Sequence, residues 1–230
     1  MKGKVQGKKR KSNKLGSSGG RKVIEKIFVK TGIAISDLEK FLRKKVEKAG
    51  YSHSEIERTP LGTRIIIYVH KPGLIIGKSG RKIDELAEEI KEKFKIENPM
   101  IDVKEVEQPM LDANIVAYRI AKAIEKGINY KKVCNYYLEQ VRNAGAIGVS
   151  IVVSGKLAGK ERSRFQKFRS GFVAYSGEYA ERLVEKGYSQ AMIKPGVVGV
   201  EVRIMKQPIE EFKMKEGEKG ESEGTEETKA

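Results

Sequence analysis

The chain has 230 residues, with 47 Lys and Arg against 31 Asp and Glu and a formal charge of +16. That length suffices for two modest domains with real cores, and the cationic surplus points to an anionic partner, nucleic acid before membrane. No apolar run approaches the roughly 20 residues of a membrane helix, and the N-terminus lacks the apolar centre of a signal peptide, so a cytoplasmic location is expected. The single cysteine, Cys134, excludes an intramolecular disulfide and a thiolate zinc site.

Residues 1–22 hold Lys2, Lys4, Lys8, Lys9, Arg10, Lys11, Lys14, Arg21 and Lys22 with no acid among them and hardly any apolar content. Such a basic arm cannot offset the entropy of ordering, is expected to be disordered alone, and can fold onto RNA. A helix is predicted from Ser36, because Ser36-x-x-Glu39 reads as a capping box and Leu38, Phe41, Leu42, Val46 and Ala49 recur at helical spacing up to Gly50. A weakly alternating strand over 51–58 follows. Thr59-Pro60-Leu61-Gly62 then turns into an apolar strand over 64–70, which Pro72-Gly73 breaks. Ile83, Leu86, Ala87, Ile90 and Phe94 mark one face of a further helix. Beyond Asn98-Pro99, Ile101, Val103 and Val106 suggest a closing strand.

Gly77-Lys78-Ser79-Gly80 lies between the apolar strand and that helix. Two glycines let backbone approach a sugar-phosphate chain, and amides opening the next helix offer donors to an anion. A P-loop is excluded because its four-residue spacing would put the first glycine at Pro72, which has no amide proton, and Leu74, Ile75 and Ile76 would crowd the cradle. The order helix, strand, strand, loop, helix, strand resembles a type II KH RNA-binding domain, assigned to residues 23–106. The resemblance implies a three-stranded sheet covered on one side by helices, with Leu74-Ile75-Ile76 as a short helix beside an apolar groove for unpaired bases. It also implies RNA contact at Gly77, Lys78, Ser79, Gly80, Arg81 and Lys82. Two readings of the loop stand: a grip on RNA, or a tight turn serving as scaffold.

After a linker over 107–111, Asp112 is a candidate N-cap before Ile115, Val116, Ala117, Ile120, Ala121 and Ile124, and Gly127 ends that helix. Asn129 caps a second helix with Val133, Tyr137 and Val141 on its apolar stripe and Gly145 at its close. Lys131 and Lys132 sit in its first turn, where the macrodipole disfavours cations; a passing phosphate chain or a merely solvated basic end both account for them. Strands are predicted at 147–153, 171–175 and 198–204. Between the first two runs a basic loop, Lys156, Lys160, Arg162, Arg164, Lys167 and Arg169, interleaved with Phe165 and Phe168, which favours RNA contact. The fold class is therefore α+β, the KH-like half being followed over 112–206 by a domain of two helices packed on a mostly antiparallel sheet, with an acidic flexible tail over 207–230. His53 and His70 are read as structural. No catalytic residue, metal-ligand set or cofactor is expected.

Val153-Ser154-Gly155-Lys156-Leu157-Ala158-Gly159-Lys160 and Gly196-Val197-Val198-Gly199-Val200-Glu201-Val202, with Pro72 to Gly80 and the helix pair in that order, resemble the family of small-subunit ribosomal protein three over roughly residues 23–206. Gly155-Lys156-Leu157 and Tyr130-Lys131-Lys132-Val133-Cys134 are nearer its archaeal and eukaryotic members. The resemblance implies a structural constituent of the small ribosomal subunit that binds ribosomal RNA in the head and lines the entrance for messenger RNA. Lys8, Lys9, Arg10, Lys11, Lys156, Lys160, Arg162, Arg164, Lys167 and Arg169 would anchor ribosomal RNA. Lys131 and Lys132 would face the message. In bacterial members a third basic residue helps those two separate paired message; here it is Asn135. Neighbouring head proteins, those numbered ten and fourteen, are expected partners of the KH half. Two alternatives differ in class: a free-standing KH regulator, and a lysine-dependent lyase on damaged DNA such as some eukaryotic relatives carry.

Overall fold

The computed structural model describes residues 18–59, 62–96, 98–157, 159 and 161–208, and for residues 18–25, 27 and 79 the backbone alone. The cations Lys8, Lys9, Arg10, Lys11 and Lys160, the Pro60-Leu61 turn and most of the acidic tail lie outside these residues.

Helix α1, Ser18–Val46, continues into one 3-10 turn, Glu47–Ala49, and Gly50 closes it in the left-handed region at φ 77°. The helix begins inside the segment expected to be a disordered arm, and Ser36 lies in its interior. A capping box needs a non-helical first residue, so Ser36-x-x-Glu39 does not act as one. Leu38, Leu42, Val46 and Ala49, spaced by three or four, are buried, whereas Phe28, Val29 and Ile33 upstream are exposed. Strand β1, Tyr51–Thr59, pairs antiparallel with β2, Gly62–Val69, and β3, Pro99–Glu105, pairs parallel with β2, giving the order β1-β2-β3. Between β2 and β3 come α2, Gly73–Ile76, a 3-10 turn, Lys78–Gly80, and α3, Arg81–Phe94. Ile65, Ile67 and Val69, on one face of β2, pack fully buried with Ile75, Ile90 and the α1 stripe. This is the element order that the KH resemblance implies.

In the second half, α4, Ala113–Glu125, and α5, Tyr130–Asn143, cover one face of β4, Gly148–Gly155, β5, Arg164–Gly171, β6, Val184–Ile193, and β7, Gly196–Met205. A short α6, Glu178–Arg182, precedes β6. The strand order is β5-β4-β7-β6, and every pairing is antiparallel. Alternation places Val149, Ile151 and Val153 of β4 and Val198, Val200, Val202 and Ile204 of β7 on the helix side, all buried. Cys134 is fully buried among them, and burial pushes its thiol up to about 12, the behaviour of an inert core residue. At Gly187 a Cβ would stand 2.1 Å from the Ala113 carbonyl oxygen, so α4 rests directly on the β6 backbone.

The sheet departs from the sequence expectation in two places. Residues 172–175 form no strand; Val173 and Ala174 instead fill a small cluster with Ala180, Val184 and Met205. The basic stretch is not wholly a loop, because Arg164 to Gly171 form the edge strand β5. Gln166, Phe168 and Ser170 there face the helices, while its charges face solvent. Strand β6 and α6 were not anticipated.

The halves meet at the start of α4. One oxygen of Asp112 accepts from the amides of Asn114 and Ile115 at 2.9 and 3.1 Å, and the other accepts from the Ser52 hydroxyl of β1. The Asn114 side chain donates to the Ser52 carbonyl at 3.0 Å. Replacing Asp112 with Ala removes a cap and the hydrogen bond that Ser52 donates to it, leaving the Ser52 hydroxyl only His53 Nδ1 as partner, and is expected to cost about 1–2 kcal/mol in denaturant melts. Asn129→Ala, which removes only a cap to the Lys131 amide, should cost about 1 kcal/mol or less. His70, whose amide donates to Gly50 near this junction, is held below the ordinary 6.5 by burial first, then by the charges of Arg119 and Lys71. The unfolded chain therefore binds more protons there. The contribution is complete above about pH 6.5 and is lost as pH falls, so the melting temperature should drop less on acidification in His70→Gln than in the natural chain.

Candidate nucleic-acid interface

The glycine loop is built for an unusual backbone. Gly77 has φ 70° and ψ −168°, and Gly80 has φ 79° and ψ −6°, both in the positive-φ range that glycine alone adopts freely. A Cβ on Gly77 would also stand 2.8 Å from Cγ of Lys82, whereas the space beside Gly80 is open. Ile75 anchors the loop in the core, and Leu74 and Ile76 on either side are 50% and 40% exposed. Lys78, Arg81 and Lys82 are exposed around them, with Lys82 Nζ donating to the Leu74 carbonyl at 3.4 Å. The loop thus carries two apolar side chains and three cations outward, a surface for bases and phosphates together.

A second basic group stands at the start of α5. The Asn129 side chain accepts from the Lys131 amide at 3.0 Å, and Lys131, Lys132 and Asn135 are all exposed. Tyr130 ties this helix to β5, its hydroxyl donating to Gln166 Oε1 at 2.9 Å and its ring meeting Phe168 edge-on at 6.5 Å. Farther along, Arg142 donates to the Ser170 hydroxyl at 3.3 Å. The helix and the basic edge strand therefore form one flank.

On the other side of β5, Phe165, Lys167 and Arg169 project at period two. Lys156, Arg162 and Arg164 are exposed nearby. Three cations surround the ring of Tyr175: Lys167 Nζ at 4.0 Å, Arg169 Cζ at 4.8 Å and Arg203 Cζ at 5.2 Å from its centroid. Arg169 also donates to the Tyr175 hydroxyl at 3.3 Å. Burial raises the Tyr175 phenol, but the neighbouring Ser150 hydroxyl first, then Lys167 and Arg169, outweigh it, and the phenol titrates below the ordinary tyrosine value. The structure brings Lys167 and Arg169 together with Tyr175 and Arg203, which sequence reasoning did not connect. It keeps the glycine loop, on the other half, a separate group.

His53 stacks on Tyr68 at 4.3 Å and its Nδ1 lies 2.8 Å from the Ser52 hydroxyl, which is a packing role. Among the described residues no cluster of His, Cys, Asp and Glu could hold a metal ion, and no helix is long and apolar enough to cross a membrane.

Two family models match: the KH domain over residues 37–111 and the ribosomal protein S3 C-terminal domain over residues 120–204. Among curated relatives, the small ribosomal subunit protein uS3 of Methanocaldococcus jannaschii is 46% identical over 187 residues, covering 81% of this chain and 89% of its own. That of Methanococcus maripaludis strain C7 is 43% identical over 187 residues, with 81% and 88% covered. That of Methanoculleus marisnigri is 41% identical over 182 residues, with 79% and 77% covered.

If the glycine loop grips RNA, reversing its charge with Lys78→Asp and Ser79→Asp should weaken binding of a short single strand about tenfold in a fluorescence titration. Unchanged affinity assigns the loop to scaffold.

Proposed function

The chain belongs to the small ribosomal subunit protein uS3 family, and from that premise we propose that it is a structural constituent of the small subunit, bound to ribosomal RNA in the head and lining the entrance through which messenger RNA is drawn. The observation that supports this most is that Tyr130 fixes the start of α5, with exposed Lys131 and Lys132, against the edge strand β5, whose own Lys167 and Arg169 project from the opposite face of the sheet. Basic strand, basic helix end and α1 need phosphate to neutralise them, and folded RNA supplies it continuously.

Within that reading the anchor on ribosomal RNA consists of Lys8, Lys9, Arg10 and Lys11 of the arm and Lys156, Lys160, Arg162, Arg164, Lys167 and Arg169 around β5. Lys131 and Lys132 face the message. Cations in a helix's first turn oppose the macrodipole by a few tenths of a kcal/mol to about 1 kcal/mol each, and a phosphate beside them reverses the sign. With exposed Asn135 one helical turn beyond Lys131, the set holds two charges where three would be needed to match the bacterial pattern, so its role is to retain message more than to separate paired strands. Head proteins ten and fourteen dock on the KH half. We assign no catalysis and place the chain on the ribosome in the cytoplasm, in keeping with the ribosomal names its relatives bear.

A tagged chain expressed in an archaeal cell is expected to sediment with small subunits and stay there at moderate salt. Recovery in the soluble fraction would instead fit a free-standing regulator. Subunits carrying Lys131→Glu and Lys132→Glu should incorporate the protein normally, yet lose retention of an unstructured message about tenfold in filter binding, with a flatter salt dependence.

A further inference from the structure

The sheet face turned away from α4 and α5 is arranged in rungs. Register across β5, β4, β7 and β6 sets Phe165, Ser154, Gly199 and Gln190 on the first rung. Lys167, Val152, Glu201 and Tyr188 form the second, and Arg169, Ser150, Arg203 and Lys186 the third. One end is therefore open, with the Phe165 ring at its edge, and the other carries cations on three of its four strands, where the Tyr175 ring lies among Lys167, Arg169 and Arg203. Phe165 is 78% exposed and Tyr188 51% exposed, although both are ring side chains on a sheet face where burial against a second layer is the usual fate. Between them the floor is low: Ser154, Gly199 and Val152 carry little bulk. The two edge strands lie three strand spacings apart, about 14 Å, so the rings bracket a shallow trough a few nucleotides wide.

Helix α1 of the other half closes one side of it. Arg43 donates to the Tyr188 carbonyl, and Lys40, Arg43 and Lys44 line a cleft of about 530 Å³ together with Ser154, Tyr188 and Gly199. Two acids line the cleft as well: Glu47 beside α1, and Glu201 on the floor, which pairs with Arg203 at 2.6 Å and accepts from the Tyr188 hydroxyl at 3.4 Å. Rings at both rims, cations along one wall, Arg169 and Lys186 at the far rung and a low floor fit a ligand with flat faces and a repeating negative charge. An apolar protein partner finds no matching floor, and an RNA duplex keeps its bases stacked within itself.

We infer that this outward sheet face, walled by α1, is a stacking platform for an unpaired RNA segment, with Phe165 and Tyr188 each taking a base and Lys40, Lys44, Lys167 and Arg169 its phosphates. The inference rests on the RNA-binding reading above for the choice of polymer and shares Lys167 and Arg169 with its anchor; the glycine loop and the α5 cations take no part in it. The full-length protein is titrated with a labelled oligouridylate and, in parallel, with an RNA duplex. Phe165→Leu and Tyr188→Leu, which keep apolar bulk and lose the ring, are each expected to weaken the single strand about tenfold and leave the duplex unchanged, with Tyr188→Phe restoring affinity. Both side chains are exposed, so thermal melts should be unaltered. Leu variants that bind the single strand as tightly as the natural chain would overturn the platform, as would equal loss for strand and duplex. Incorporation of the same variants into small subunits is measured separately: loss there with unchanged single-strand affinity would mark the face as a docking surface for a protein or folded RNA and also overturn it. Failure of the natural chain to incorporate would bear on the ribosomal reading alone.

Discussion

The geometry of this protein turns on one carboxylate. Asp112 uses one oxygen to satisfy the amides opening α4 and the other to take the Ser52 hydroxyl from the first sheet, while Asn114 returns a hydrogen bond to the Ser52 backbone. A cap is normally local, worth about 1 kcal/mol to its own helix. Here the same group carries an orientation between two separate cores, and the bonds are partly screened from water, where unmade polar contacts cost most. Together with the Arg43 bond to the Tyr188 carbonyl, it sets the position of α1 relative to the second sheet.

The electrostatics work at two scales. The net charge draws the chain to any polyanion, a long-range effect that salt weakens. At short range the cations are sorted: Glu89 takes Lys45, Glu125 takes Lys122 and Glu201 takes Arg203. Lys131, Lys132, Arg162 and Arg164 carry no such ion pair among the described residues. Surface pairs contribute little to stability, so their use here is subtractive. They leave the unpaired cations as the places where phosphate gains most.

Much of this architecture was legible because the apolar period was unbroken in the elements that build the cores. Ile65, Ile67 and Val69, Val198 through Ile204, and the stripe of Ile83, Leu86 and Ile90 each announce one face of one element. Strand β6 was silent for a physical reason. Its inward positions, Gly187, Ser189 and Ala191, are small because the α4 backbone lies on top of them, and a strand chosen for close approach lacks the bulky signature of a strand. β5 was mistaken for loop because an edge strand exposes its outer face, so Lys167 and Arg169 read as solvated charge. The capping pattern at Ser36 misled since the helix runs on upstream with Phe28, Val29 and Ile33 exposed. Among site residues, the glycine loop and the basic runs are contiguous and could be read directly. The trough could not: Arg43 and Tyr188 are 145 positions apart, and only the folded register unites them.

The contact at Gly187 carries a mechanical corollary. With no side chain between Ala113 and β6, nothing compressible separates them, so the first turn of α4 and the strand bearing Tyr188 move as a single girder. That first turn is also where Asp112 grips the other half. The spacing between Tyr188 and the cations of α1 is therefore tied to the angle at which Asp112 holds the two halves.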